Sequence, residues 1–362
     1  MGCCPNSHGR PLAFILVSMR IPPTRLKRRK FLEGSLAAAG ASLAAFVSAP
    51  ARGAPEPVPL NLQLGWAAGI TQAGEIVAKR LGYYAEEGLA LNIQAGGPTQ
   101  DGVAMVASGH AELGQLSSSP SLLLAVAQGL PIRCFAVGAQ RHPFCFFSLS
   151  ARPVRKPADL RGKRIGLTPG ALVLLRALLA RNGMSEKDVK LIPTVIGTQL
   201  LLTGQADVVT GWTMNAEVIR DLDKNVVQMA LWDTGVRMYG LPYYASPHTL
   251  QARRRDLEGF LRASARGWHR AFTHRDEAIG LMVKEYPRLA ATDLRTALDS
   301  MLDFSFGGPV QKVGWGAMDP TFWTEQIALL AATGQLSRVP ATAEVMTLEL
   351  LDATRQARLR AD

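Results

Sequence analysis

The chain has 362 residues, 48% of them hydrophobic, and a formal net charge of +11. This length allows two α/β units with their own cores and argues against a single small domain. The charge is concentrated at one end, because the first 51 residues hold seven Lys and Arg residues against one acid. The other 33 basic and 28 acidic residues leave an excess of five, and no basic motif with interleaved aromatic residues predicts a nucleic-acid partner.

The first 51 residues have the organisation of an export signal. The basic run 27–30 precedes Phe31 and Leu32 as in the twin-arginine motif, and an alanine-rich apolar run follows over 36–47. Ala49-Pro50-Ala51 is typical of a cleavage site, so we predict cleavage after Ala51 and a periplasmic mature protein. The alternative is an uncleaved membrane anchor, but the apolar run is well short of the roughly 20 residues that span a bilayer. Met19 is a second candidate for the start of translation.

Residues 52–59 are predicted to be a proline-spaced linker, and strand and helix patterns alternate after it. Short connections between such elements indicate largely parallel sheets covered by helices. The elements predicted in this first part are strands over 60–64, 89–94, 113–116, 132–138 and 144–150, and helices over 73–81, 98–108 and 121–128.

The alternation restarts after a turn-rich connector over 153–162. The elements predicted beyond it are strands over 164–167, 189–192, 206–210, 226–231 and 243–246, and helices over 172–181, 197–202, 257–272, 276–286, 291–304 and 322–332. The predicted fold class is therefore α/β, with two lobes that each hold a mostly parallel sheet flanked by helices, and with a helical C-terminal region. We predict a discontinuous first lobe of 60–147 and 240–362 and a second lobe of 148–239.

Several short motifs occur in an order that is typical of one family. They are Trp66 after the first strand, the run 78–89 (AKRLGYYAEEGL), Gly109 to Gly114 (GHAELG), Gly129 to Ile132 (GLPI), Asp159 to Gly166 (DLRGKRIG) and Leu202 to Asp207 (LTGQAD). Over about 60–303 the chain resembles the nitrate, sulfonate, taurine and thiamine-pyrimidine-precursor family of ABC transporter substrate-binding proteins. The resemblance implies the periplasmic binding protein type II fold. Glycines 82, 88, 109 and 129 fall where a positive φ is expected, so these motifs indicate the fold and not a chemistry.

Ligands of open α/β sheets bind beyond the carboxyl ends of the strands, beside the N-termini of helices. This rule selects the candidate ligand-binding residues Trp66, Ser117, Ser118, Ser119, Thr168, Gly170, Trp212 and Asn215, with Tyr243 added near the return of the chain to the first lobe. Ser119 and Thr168 can equally be helix caps, and Trp212 can be a core residue. The run 144–147 reads first as a buried strand, and His142 beside it as a structural histidine.

The predicted function is capture of a small molecule between the lobes and delivery of it to an ABC permease of the inner membrane. Two tryptophans from opposite lobes suit a planar, nitrogen- or sulfur-containing ligand such as a thiamine pyrimidine precursor. However, the segment 67–72 lacks the Asn and His that pyrimidine binders of the family carry there. Binding of a sulfonate, taurine or nitrate by the Ser117 to Ser119 and Thr168 to Gly170 amides is the first alternative, and a periplasmic sensor module is the second.

An enzyme, such as one of pyrimidine synthesis, is the least favoured class. The sequence has no Gly-x-Ser-x-Gly, His-Glu-x-x-His, Gly-Lys-Ser/Thr phosphate loop or Gly-x-Gly-x-x-Gly. We therefore expect no catalytic residue, no cofactor and no metal. Cys134 and Cys145 lie in apolar runs without metal-ligand spacing and are interpreted as buried thiols, although an oxidising compartment permits a bridge. The mature protein is expected to be a monomer.

Overall fold

A computed structural model describes residues 56–359, except 98, 99, 195, 196 and 309. The predicted signal of 1–51, with its cleavage site, Cys3, Cys4 and the alternative start at Met19, lies outside the described residues. The predicted linker of 52–59 ends two residues earlier than expected, because the first strand begins at Val58. Its residues 52–55 also lie outside the described part.

Ten strands of the described residues form two sheets. The first sheet contains β1 (Val58–Leu64), β2 (Leu89–Gln94), β3 (Leu113–Gln115), β4 (Arg133–Ala139) and β10 (Gly240–Ala245), and the second contains β5 (Phe144–Leu149), β6 (Arg164–Leu167), β7 (Lys190–Pro193), β8 (Val208–Trp212) and β9 (Val226–Ala230). Their spatial orders are β2-β1-β3-β10-β4 and β7-β6-β8-β5-β9. We call each sheet with its helices a lobe.

Each sheet is parallel apart from one strand. In the first sheet β10 runs antiparallel to both neighbours, and in the second sheet β5 does the same. These two strands are the ones by which the chain enters each lobe from the other. A chain that arrives at the carboxyl edge of a sheet has to run opposite to the strands already there, and this explains their direction.

Helices cover the faces of both sheets and form most of the C-terminal part. They are α1 (Ala73–Arg80), α2 (Tyr83–Glu86), α3 (Gly102–Ala107), α4 (Ser119–Ala127), α5 (Leu172–Arg181), α6 (Thr198–Leu202), α7 (Ala216–Leu222), α8 (Pro247–Ala252), α9 (Arg254–Thr273), α10 (Arg275–Glu285), α11 (Ala291–Phe306), α12 (Val310–Val313), α13 (Pro320–Ala332), α14 (Thr342–Val345) and α15 (Glu349–Leu359). The predicted α/β class and helical C-terminal region are confirmed.

The predicted lobe boundary at residue 147 is wrong. Residue 147 lies inside β5, which pairs with β8 and β9 of the second sheet. The chain therefore leaves the first lobe after Ala139 and enters the second at Phe144. A continuous apolar run fits a buried strand of either sheet, since only its distant pairing partners decide between them.

Two of the family motifs contact each other in the second lobe. Arg164 Nε donates to Asp207 Oδ2 at 3.0 Å and its NH2 donates to Oδ1 at 2.9 Å, while the Arg164 backbone N–H also reaches Oδ2 at 2.9 Å. These hydrogen bonds lower the pKa of Asp207 to about 2. The pair joins the start of β6 to the entry of β8, so the motifs serve the fold as predicted. Glycines 82, 88, 109 and 129 all have the expected positive φ.

Candidate functional site

Two short crossings of the chain bring the carboxyl ends of both sheets face to face. The first crossing runs from the end of β4 to the start of β5, where Phe144 pairs with Trp212 at the end of β8. The second leads into β10, where Gly240 pairs with Ala139. Because parallel strands share one carboxyl edge, the ends of β1 and β3 lie on one side of these crossings and those of β6 and β8 on the other.

Four segments meet at the crossings, and we call them the junction: 117–119, 140–143, 212–215 and 238–241. The His142 N–H donates to the Met238 carbonyl at 2.9 Å, and this bond ties the two crossings together. On the second lobe, the Thr213 N–H donates to the Pro143 carbonyl at 2.9 Å. On the first lobe, the Leu241 N–H donates to the Ser117 carbonyl at 3.3 Å. Backbone hydrogen bonds at the junction therefore connect the two lobes.

Trp212 is held at the second-lobe side of the junction. Its backbone N–H donates to Asn215 Oδ1, which fixes the turn between β8 and α7. The half-buried indole ring meets the His142 ring edge to face, with 5.9 Å between centroids. Trp212 and exposed Asn215 thus lie together at the end of β8.

His142 is buried at the junction, with 4% of its surface exposed. Its Nδ1 accepts the Phe144 backbone N–H at 3.1 Å, so the ring proton resides on Nε2. Nε2 faces the Ser117 carbonyl and makes no hydrogen bond of good geometry among the described residues. Burial lowers the pKa of His142 to about 4, so the ring is neutral at physiological pH.

Trp66 lies at the end of β1 and is 46% exposed. Its carbonyl accepts the Gly96 N–H at 2.9 Å. A Cβ on Gly96 would stand 2.1 Å from the Leu64 carbonyl oxygen, so only glycine allows this close approach of the chains. The described aromatic contacts include none with Trp66, and the predicted sandwich of Trp66 and Trp212 stays a prediction.

Thr168 and Gly170 follow β6, which is parallel to β8 and therefore ends at the same edge. Thr168 is half-buried and Gly170 is exposed. The Thr168 carbonyl accepts the Ala171 N–H at 3.0 Å, in the turn that leads into α5. Both residues therefore lie on the sheet edge that carries Trp212.

Two of the three predicted serines have other partners. Ser118 is the N-cap of α4, with its hydroxyl 2.9 Å from that of Ser121. Ser119 is 0% exposed, and its hydroxyl donates to Gln326 and lies 3.1 Å from the Tyr239 carbonyl. We therefore withdraw Ser118 and Ser119 from the candidate site. Ser117 remains, half-buried at the junction.

Tyr243 is also withdrawn, because it is a core residue of the first lobe. It is 0% exposed and packs against Phe260 and Trp315, with ring centroids 5.5 and 5.6 Å away. Its hydroxyl donates to Oε1 of Glu75. The strand pattern placed Tyr243 near the crossing correctly, but not the face on which its side chain lies.

A buried carboxyl that sequence reasoning missed lies below this edge of the first sheet. Glu75, in the first turn of α1, accepts hydrogen bonds on Oε1 from Tyr243 and, at 3.2 Å, from Trp268 Nε1. Its Oε2 has no partner among the described residues. Burial raises the pKa of Glu75 to about 7. A single acid in the helical run 73–81 gave no signal of this environment.

Two surface depressions lie away from the candidate residues. One, of about 600 Å³, is between α10 and α11 and includes His274 and Asp299. The other, of about 500 Å³, is lined by residues that include Arg237 and Phe322. Within the described part of the chain, no helix has the length and apolarity to cross a membrane, and no group of His, Cys, Asp or Glu is arranged to hold a metal ion.

Comparison with known proteins gives a family and a fold. The sequence profile of the NMT1/THI5-like family matches residues 70–278. The chain is 31% identical over 317 residues to the riboflavin-binding protein RibY of Chloroflexus aurantiacus, which covers 81% of this chain and 86% of that protein. It is 25% identical over 295 residues to a formylaminopyrimidine-binding protein of Halalkalibacterium halodurans, which covers 79% and 88%.

Solved structures share the fold at low sequence identity. The alkanesulfonate-binding protein SsuA of Xanthomonas axonopodis superposes with a TM-score of 0.61 and 17% identity, over 81% of this chain and 99% of that one. The desulfurization enzyme DSZB superposes with a TM-score of 0.55 and 16% identity, over 82% and 98%. These likenesses confirm the periplasmic binding protein fold, and they include both a binding protein and an enzyme.

Proposed function

The chain belongs to the NMT1/THI5-like family, and from this premise we propose that it is the substrate-binding component of an ABC importer. The ligand is a small, planar nitrogen heterocycle that is held between the lobes and not altered. The observation that carries this proposal is the junction, where the carboxyl edges of two sheets face each other across two short crossings. Ligands bind at such edges.

The mechanism is closure of the lobes on the ligand. Two crossings connect the lobes and allow one lobe to rotate relative to the other. The first crossing has only four residues, 140–143. The ligand stabilises the closed form by its greater affinity for that form, and the permease recognises it. Binding therefore requires contacts from both lobes.

The tryptophans and the named relatives favour a planar heterocycle. Trp66 presents an exposed indole on the first lobe and Trp212 a half-exposed one on the second. Indole rings bind flat aromatic ligands by stacking. The relatives named above bind riboflavin and a formylaminopyrimidine, and both compounds are planar nitrogen heterocycles. We propose Trp66, Ser117, Thr168, Gly170, Trp212 and Asn215 as the contacts.

The absence of catalysis is part of the proposal, since DSZB shows that the fold can carry an enzyme. A cysteine nucleophile requires an accessible thiolate. Cys134 and Cys145 are both buried, and burial raises the pKa of each thiol, for Cys145 to about 12. Neither thiol is therefore available for covalent chemistry at neutral pH.

The proposal is tested by thermal shift and tryptophan fluorescence with riboflavin, formylaminopyrimidine, taurine and an alkanesulfonate. A ligand of the native state raises Tm, and a heterocycle that stacks on Trp66 or Trp212 quenches fluorescence. Trp66→Ala and Trp212→Ala are expected to weaken binding at least tenfold, about 1.4 kcal/mol each. Phe272→Ala, which removes an exposed aromatic side chain at the end of α9, is the control and keeps wild-type affinity.

If only a sulfonate raised Tm, the proposed ligand would be an anion and not a heterocycle. If none of the four compounds raised Tm or changed the fluorescence, the proposed import function would be rejected. Equal affinity of the two tryptophan variants and wild type would reject the site.

Export and delivery belong to the same proposal. The twin-arginine-type signal of 1–51 is expected to place a monomeric mature protein in the periplasm, beside its permease. Replacement of Arg28 and Arg29 by Lys is expected to keep the precursor in the cytoplasm, which cell fractionation would detect. Neighbouring genes for a permease and an ATPase favour import, whereas a histidine kinase favours a sensor.

A further inference from the structure

Two polar atoms at the junction are buried and make no hydrogen bond of good geometry among the described residues. They are Nε2 of His142 and Oγ1 of Thr213. One lies on the first crossing and the other directly after β8, and the Thr213 N–H bonds to Pro143, the residue that follows His142. Buried polar groups are nearly always paired, so two unpaired ones on adjoining segments indicate a partner from outside the chain.

The chemistry of each atom is fixed by its surroundings. His142 Nδ1 accepts the Phe144 N–H at 3.1 Å, which leaves Nε2 as the protonated nitrogen and a donor. The Ser117 carbonyl that it faces already accepts the Leu241 N–H at 3.3 Å. The Thr213 hydroxyl can donate or accept. The junction therefore offers one fixed donor and one adaptable hydroxyl.

The two groups flank the proposed aromatic contact. Trp212 precedes Thr213 in the chain, and its ring lies against the His142 ring at 5.9 Å between centroids. A planar ligand on the Trp212 indole would bring its edge toward these atoms when the lobes rotate about the crossings. A buried protein group that is unpaired until the ligand binds discriminates strongly against ligands that cannot form the hydrogen bond.

We propose that His142 Nε2 and the Thr213 hydroxyl bind the polar edge of the ligand, with Nε2 donating to a ring carbonyl or ring nitrogen. The ligand class is thereby narrowed to planar heterocycles that carry such an acceptor on one edge. This inference rests on the proposed function, because it assigns further residues to the same site.

The test uses two pairs of matched variants in the full chain, titrated with riboflavin and with formylaminopyrimidine. His142→Asn keeps an acceptor for the Phe144 N–H but removes the outer donor, whereas His142→Gln can place an amide donor where Nε2 stands. Thr213→Val keeps the shape and removes the hydroxyl, whereas Thr213→Ser keeps the hydroxyl. His142→Asn and Thr213→Val are each expected to weaken binding about tenfold, and the other member of each pair to remain within about threefold of wild type.

The Tm of the ligand-free protein separates a ligand contact from a structural one. Thr213→Val is expected to leave Tm unchanged or higher, because it removes an unpaired buried hydroxyl without a change of shape. A fall in Tm of more than about 4 °C would show that the hydroxyl is satisfied within the protein, by a buried water for example, and would overturn its assignment.

Affinities give the second decision. If wild type binds a heterocycle and both members of each pair bind it equally well, this inference fails while the proposed function stands. If wild type binds neither probe, the heterocyclic ligand of the proposed function is rejected and the assignment of these two residues is rejected with it.

Discussion

Glu75 and His142 are expected to give this protein two opposing pH dependences of stability. Burial raises the pKa of Glu75 from 4.5 to about 7 and lowers the pKa of His142 from 6.5 to about 4. Between pH 4.5 and 7 the native protein keeps a proton on Glu75 that the unfolded chain has released, so stability falls as pH rises. Between pH 4 and 6.5 the unfolded chain binds a proton on His142 that the native protein refuses, so stability rises with pH.

The two effects are of similar size and nearly cancel. Each pKa difference of about 2.5 corresponds to about 3 kcal/mol in full, of which about 2 kcal/mol falls between pH 4.5 and 6.5. The tyrosines near Glu75 add nothing in this range, because Tyr84, Tyr243 and Tyr286 all have raised pKa values and stay protonated. Wild type is therefore expected to show no net slope from this pair.

Single substitutions separate the pH dependences of stability that Glu75 and His142 each contribute. In Glu75→Gln, which keeps an acceptor for Tyr243 and Trp268, the free energy of unfolding is expected to rise relative to wild type by about 2 kcal/mol from pH 4.5 to 6.5. In His142→Asn the free energy of unfolding relative to wild type is expected to fall by about 2 kcal/mol over the same pH interval. The assay is urea unfolding of the full chain at intervals of half a pH unit, with the slope m checked for constancy.

The double variant is the control, since loss of both groups restores the wild-type slope. If the curve of either single variant ran parallel to wild type, the reasoning about its buried group would be refuted. A rise for Glu75→Gln without a fall for His142→Asn would confine the error to the histidine.

Three further predictions concern the fold around the site. Asp207→Asn removes the paired acceptor of Arg164 and is expected to cost about 2 kcal/mol at pH 7 in urea unfolding; because the pKa of Asp207 is lowered to about 2, wild type should lose that stabilisation as pH falls from about 4 toward 2. Gly96→Ala is expected to lower Tm by several degrees through its clash with the Leu64 carbonyl, whereas Gly97→Ala, with nothing within 4 Å of its Cβ, should leave Tm unchanged. Native protein is expected to leave Cys134 and Cys145 unreactive toward a thiol reagent, and unfolding without reductant should release both, whereas a bridge between them would release neither.

Sequence patterns predicted the local elements of this chain well and its long-range assignments less well. The strand over 89–94 and the helix over 172–181 have the predicted bounds, because alternation and helical periodicity are local properties. The run 144–147 was assigned to the wrong lobe, since membership of a sheet depends on partners more than 60 residues away in β8 and β9. Helices such as Tyr83–Glu86 were missed, because they are too short for a periodic signal.

The candidate site shows the same division. The rule that ligands bind at strand ends selected Trp66, Thr168 and Trp212, which all lie at carboxyl ends of strands. It also selected Ser119, and a shift of the helix start by two residues turned that predicted cap into a buried group bonded to Gln326. Sequence cannot report how a polar atom is paired, since pairing is decided by side chains from distant segments.

His142 illustrates why this matters for function. A lone histidine next to an apolar strand is usually structural, and one of its nitrogens is indeed used to cap the start of β5. The same hydrogen bond fixes the other nitrogen as a donor, and the crossing on which the residue lies places it between the lobes. One side chain can therefore stabilise the first crossing through Nδ1 and donate a hydrogen bond to a ligand through Nε2. The paired Asn and Gln substitutions separate these two roles at a single position.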